Sequence, residues 1–94
     1  MKVFISADIE GTTLTTYWDQ TRTLTDAKAK PHCQQMTREV AAACRGALKA
    51  GCEEVLVKDA HDSACNLIPR NLPEEVCLYR GWGSDYYGMV AGLD

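Results

Sequence analysis

No stretch of these 94 residues is apolar for long enough to cross a bilayer as a helix, which takes about 20 residues. The opening run Val3–Ala7 is halted by Asp8 and is too short for the apolar core of a secretion signal, so a cytoplasmic location is expected. Basic residues are scattered rather than striped, and the net charge is −3, which leaves no footprint for a nucleic acid. The five cysteines (Cys33, Cys44, Cys52, Cys65 and Cys77) contain no C-x-x-C pair, which excludes a zinc knuckle and a dithiol redox motif. Reduced cysteines acting as small core hydrophobes are the expectation. Neither G-x-G-x-x-G nor G-x-x-x-x-G-K-[ST] occurs, so Gly11-Thr12-Thr13 is weak support for a phosphate loop. There is no internal repeat and no low-complexity tract. Histidine is scarce, with His32 and His61 the only two.

What is present is an α/β pattern. The hydrophobic fraction of 46% excludes a disordered chain, and the length holds one domain at most. Lys2–Ala7 has high β-propensity and the near-continuous apolar character of a central strand. Gly11–Lys30 has little apolar periodicity and reads as a long loop, with Trp18 arguing that it packs onto something. From Pro31 to Ala50, Met36, Val40, Ala43, Cys44 and Ala47 mark one face of a helix, with Pro31 in the first turn and Gly51 just past the end. Glu53–Lys58 and Glu75–Tyr79 read as further strands, and Ser84 as the cap of a short helix through Tyr87, Met89 and Val90. One helix against three parallel strands leaves a sheet face bare, and parallel sheets are normally covered on both. Residues 1–94 therefore read as one incomplete domain, the N-terminal β-α-β-β part of a three-layer Rossmann-like parallel sheet, or as one completed by oligomerisation. Val3, Ile5, Val55 and Val57 are candidates for the helix-facing side or for the bare one.

Strand, helix and parallel strand put both strand ends at one edge of the sheet, where open α/β sheets place their sites. Asp8 and Glu10 follow the first strand, and Asp59 and His61 follow the second. Residues two apart on an extended backbone share a face, so the carboxylates should point the same way. Two carboxylates and an imidazole at one edge suit a divalent metal, and Asp8, Glu10 and His61 are the candidate ligands. A solvated turn or a helix cap is the competing reading for the acids. Asp62 can accept the free ring N–H of a ligating His61 or cap the turn at Asn66-Leu67. His32 reads as a surface residue. Cys65 beside His61 lacks an orienting group for nucleophilic chemistry. Trp82, Tyr86 and Tyr87 fit a pocket lining or an interface equally well.

Ile5-Ser6-Ala7-Asp8-Ile9-Glu10-Gly11-Thr12-Thr13, Tyr17-Trp18-Asp19-Gln20-Thr21, Val57-Lys58-Asp59-Ala60-His61-Asp62-Ser63 and Asn66-Leu67-Ile68-Pro69 together resemble the N-terminal part of the D-aminopeptidase family, peptidase family M55. The similarity continues from Arg80-Gly81-Trp82 to Asp94. It implies a zinc-dependent hydrolase that acts on small peptides with an N-terminal D-amino acid, uses a two-metal site and assembles into homo-oligomeric rings. It implies Asp8, Glu10 and His61 as zinc ligands, with Asp8 bridging. The family's other ligands, a His and a Glu, and its catalytic His lie further along than Asp94, so no catalytic residue is expected within these residues. Leu14 stands where relatives often carry Gly. The alternatives are a truncated, non-catalytic relative that serves as an assembly or metal-binding module, and a phosphate-binding domain using Gly11-Thr12-Thr13.

Overall fold

Val3, Ile5 and Ala7 point to one side of strand β1, Lys2–Ala7, and that alternation decides where the helix must lie. The computed structural model describes residues 1–83 and 88–90. Within them, β1 is followed by 3₁₀ turns at Ile9–Gly11 and Trp18–Thr21, helix α1 (Lys30–Lys49), strand β2 (Glu54–Asp59), a 3₁₀ turn at Pro69–Asn71, strand β3 (Cys77–Tyr79) and a 3₁₀ turn at Gly88–Val90. The sheet order is β1-β2-β3, and both pairings are parallel. Lys2 pairs with Glu54 and Ala7 with Asp59, so β1 and β2 end side by side. The expected β-α-β-β parallel architecture is therefore present. The Ser84 cap and the Tyr86 and Tyr87 roles lie outside the described residues.

The core lies between α1 and one sheet face. Val55 and Val57 are fully buried there, with Val3, Ile5 and Leu78 packed beside them. These valines and Ile5 thus face the helix. The opposite face carries half-buried Phe4 and Leu56, exposed Ser6 and Cys77, and Lys58. The Ser6 hydroxyl donates to the Met89 carbonyl at 2.6 Å, which brings the last described turn across this face.

The buried stripe of α1 is Cys33, Met36, Thr37, Val40, Ala41 and Cys44. Its phase differs from the apolar count, because Ala43 is exposed and Thr37 is buried. A threonine can take a core position when its hydroxyl is satisfied. Thr37 donates to the Cys33 carbonyl at 2.8 Å and accepts the Ile68 N–H at 3.1 Å, tying the helix to the segment that follows the turn after β2. Gly51 follows the helix at φ +92°, the left-handed position that ends it. Burial pushes the Cys33 and Cys44 thiols up and makes them inert, as expected of core cysteines. Cys65 and Cys77 depart from that expectation, since both are exposed.

The segment between β1 and α1 has more internal order than its composition suggests. Gln20 accepts the N–H groups of Thr16 and Tyr17 at 2.8 and 2.9 Å. Glu39 of α1 accepts the Thr13 N–H at 3.1 Å, and Thr15 bonds His32 Nδ1 at 2.9 Å. His32 is accordingly half-buried rather than a free surface residue. Leu14 sits at φ +69°, a conformation in which a side chain is strained and glycine is not. Leu14 thus has a glycine-type backbone at the position where the resemblance leads one to expect glycine.

Candidate metal centre

The β1–β2 ladder runs one step past the strand ends, with the Ala60 N–H donating to the Ala7 carbonyl at 2.8 Å. That step carries Asp8 and His61 to the same edge. Asp8 is still extended, at φ −131° and ψ 133°, but Ile9–Gly11 closes into a 3₁₀ turn. Glu10 therefore does not reach Asp8 by strand alternation. The turn drives Ile9 fully into the core and leaves Glu10 outside, folded back toward Asp8. The pairing anticipated from spacing occurs, through a different geometry.

His61 Nδ1 lies 3.1 Å from Asp8 Oδ1 and 3.0 Å from Glu10 Oε1. The three potential ligand atoms all fall within 4.8 Å of one another. A tetrahedral ion with ~2.0 Å bonds separates its ligand atoms by roughly 3.3 Å, so the triad needs only slight opening to admit one. The imidazole is the sheltered member, its side chain 13% exposed against 40% for Asp8 and 48% for Glu10.

Proton accounting sharpens the assignment. His61 Nε2 donates to the Thr21 carbonyl at 2.6 Å, and a carbonyl can only accept, so Nε2 carries hydrogen. Nδ1, on the other side of the ring, faces two carboxylate oxygens. That arrangement is repulsive unless a proton or a metal ion sits among them. The carboxylates already compete: the hydrogen bond with Asp8, followed by burial, holds Glu10 above its ordinary value. Among the described residues, no Lys or Arg forms an ion pair with Asp8 or Glu10. Two carboxylate oxygens and a ring nitrogen whose far N–H is tied to a carbonyl are the donor chemistry of a zinc-type ion.

Asp59 was the fourth member of the strand-end pattern, but it does not join the triad. It is fully buried, and its Oδ2 accepts the N–H groups of Asn66 and Leu67 at 2.7 and 2.8 Å. The turn-capping role considered for Asp62 thus belongs to Asp59. The ring N–H of His61 goes to Thr21, not to Asp62. The Asn66 side-chain amide donates to Asp59 Oδ1 at 3.0 Å and to the His61 carbonyl at 2.6 Å, anchoring the backbone of His61. The His61 ring nitrogens are committed to Asp8, Glu10 and Thr21, which leaves neither paired with Cys65. Thr21 lies in a segment that carried the resemblance, but its role could not be read there, because it acts through its backbone carbonyl. Asn66 and Asp59 had one signal, two polar residues bracketing the turn that follows β2.

A cleft of about 170 Å³ opens beside Glu10, lined by Thr15, Thr16, Tyr17, Trp18 and Thr21. Trp18 is 80% and Tyr17 68% exposed, so the long loop places aromatic surface at the rim of the triad.

No curated protein matches the chain. Among solved structures it is similar to the Zn-dependent D-aminopeptidase DppA from Bacillus subtilis, described as a self-compartmentalizing protease, with a TM-score of 0.86 and 33% identity. That alignment covers 100% of this chain and 34% of that one, so the chain spans about a third of the length of the structure it matches. The sequence profile of the D-aminopeptidases, peptidase family M55, matches residues 1–94. With a matching fold and a profile that runs from its first residue to its last, the chain belongs to the D-aminopeptidase family.

Proposed function

We propose that this chain supplies the metal-binding front of a zinc-dependent aminopeptidase that hydrolyses peptides with an N-terminal D-amino acid, with Asp8, Glu10 and His61 as zinc ligands and Asp8 placed to bridge. The observation that carries it is the convergence of two carboxylates and an imidazole, with no Lys or Arg paired to the acids among the described residues. Zinc held there would supply Lewis acidity to a peptide carbonyl and a more acidic bound water. The chain's own residues do the rest. Thr21 fixes the His61 tautomer, Asn66 holds its backbone, and the cleft beside Glu10 offers room for a small side chain next to the reacting bond.

Three donors hold one ion, and two-metal chemistry needs more. We therefore read these residues on their own as a weak single-zinc site with little or no turnover, completed by further ligands or by neighbouring copies in a ring. The donor count equally favours a second reading, a non-catalytic relative acting as an assembly or metal-binding module. No described helix is long and apolar enough to cross a membrane, and a cytoplasmic, homo-oligomeric protein without nucleic-acid partners is the setting we propose. Zinc titration of the chain and of His61→Ala, together with hydrolysis of a D-alanyl chromogenic amide, tests the proposal. Zinc affinity lost in the variant and a trace of zinc-dependent turnover support the enzyme reading. Ring formation with zinc binding and no turnover supports the second. Zinc affinity unchanged in His61→Ala overturns both.

A further inference from the structure

The turn that carries His61 contains two of the three non-glycine residues at positive φ among those described, Asp62 at 49° and Ala64 at 58°. A left-handed alanine costs roughly 1 kcal/mol or more. Such backbone persists only where its surroundings over-determine it. Asp59 and Asn66 hold the turn from the strand side. On the other side, the Gly81 N–H donates to the Ala64 carbonyl at 2.9 Å, and the Trp82 indole N–H donates to the Asp62 carbonyl. Residues 81 and 82 thus cap the carbonyls of both strained residues.

Lys58 is what ties residues 81 and 82 to the sheet. Its Nζ donates to the Gly81 carbonyl at 2.5 Å and to the Asp59 carbonyl at 2.9 Å. The ammonium also lies 4.2 Å from the Trp82 ring centroid and 4.7 Å from that of Tyr79. Lys58 is fully buried, and among the described residues no carboxylate forms an ion pair with it. Burying an ammonium without a carboxylate is costly, and carbonyl and π contacts are its compensation here. The burial lowers its pKa, with Asp59 and Cys65 working partly against that. An apolar residue would cover the sheet at less cost, so the cation is explained by what it joins.

We propose that Lys58 is a positioning residue for the metal ligand His61, joining Gly81 and Trp82 to the end of β2 so that the strained turn holds the imidazole in its ligating geometry. The inference rests on the zinc site proposed above. It is tested by zinc affinity, measured by competition with a chromophoric chelator, on the 94-residue chain and on Lys58→Met, Trp82→Phe, His61→Ala and the Lys58→Met/His61→Ala pair. Lys58→Met should weaken zinc binding roughly tenfold or more, the scale on which residues that orient a ligand act. Trp82→Phe keeps the ring, loses the indole N–H and should weaken binding less. The double variant should bind no more weakly than His61→Ala alone, because the two changes act through one ligand. A merely structural lysine would give additive losses, and additivity overturns the proposal. Wild-type affinity in Lys58→Met overturns it too. If Lys58→Met fails to fold, wild-type affinity in folded Trp82→Phe overturns it instead. Should His61→Ala bind zinc as the parent does, the zinc site itself has failed, and this inference fails with it.

Discussion

The two turns that build the proposed metal centre are made differently. The turn after β1 is short and open: Asp8 and Glu10 are each nearly half exposed, and among the described residues no Lys or Arg pairs with them. The turn after β2 is sheltered and heavily bonded, with Asp59, Asn66 and Leu67 all buried and the His61 carbonyl, ring N–H and flanking backbone each assigned a partner. One side is free to adjust its carboxylates around an ion. The other presents a fixed imidazole. A site divided in this way takes its direction from the nitrogen and its tolerance from the acids.

Removing Asp59 should break the contrast most severely. Asp59→Ala leaves the Asn66 and Leu67 N–H groups buried without an acceptor, at about 1–3 kcal/mol each. A urea melt should show a loss of about 3 kcal/mol or more, and zinc affinity should fall along with stability. A variant that melts like the parent would mean that the turn is not held as described.

Asp8→Asn probes the other side. It should weaken zinc roughly tenfold to a hundredfold, on the scale by which first- and outer-shell changes alter metal affinity. Stability should stay within ~0.5 kcal/mol, as for a surface substitution. Calorimetric zinc titration and a thermal melt of the same sample separate the two. Equal damage to both would erase the distinction between the turns.

Much of this organisation was legible in the sequence, and the reasons are specific. β1 coincides with its predicted span, and the helix begins and ends within one residue of Pro31–Ala50, because an apolar strand and a capped periodic helix are strong local signals. β3 is shorter than Glu75–Tyr79, since Val76 and its neighbours enter the strand from a turn. Asp8, Glu10 and His61 could be named because β-α-β topology puts strand ends together. What could not be read was how each is held. The 3₁₀ turn at Ile9–Gly11, the Thr21 carbonyl and the left-handed pair in the His61 turn are backbone events with little residue signature. Lys58 resembled an ordinary strand-end lysine, and only the three-dimensional closure of residues 81 and 82 buries it.

Smaller effects should sharpen the comparison. Leu14→Gly should raise stability by about 0.5–1 kcal/mol, because it relieves a left-handed leucine that is 84% exposed and loses little packing. A chemical melt that shows destabilisation would mean that Leu14 packs usefully. The smallest effect is a pH trend in the metal-free protein. Glu10 is held above its ordinary 4.5, chiefly by the hydrogen bond with Asp8, so the folded state binds its proton more tightly than the unfolded chain does. Its contribution is fully present below the unfolded value and is lost as pH rises through the raised folded one. Melting temperature should therefore decline slightly with rising pH just above 4.5, and Glu10→Gln should flatten that decline. Added zinc should abolish it, because the ion takes the place of the proton.

The most direct test of the central claim is X-ray absorption at the zinc edge on the zinc-loaded chain. The account predicts a first shell of nitrogen and oxygen at about 2.0–2.2 Å, with the outer-shell pattern of a single imidazole that disappears in His61→Ala. A sulfur shell near ~2.3 Å, or an imidazole signal that survives the loss of His61, would place the ion elsewhere and contradict the site.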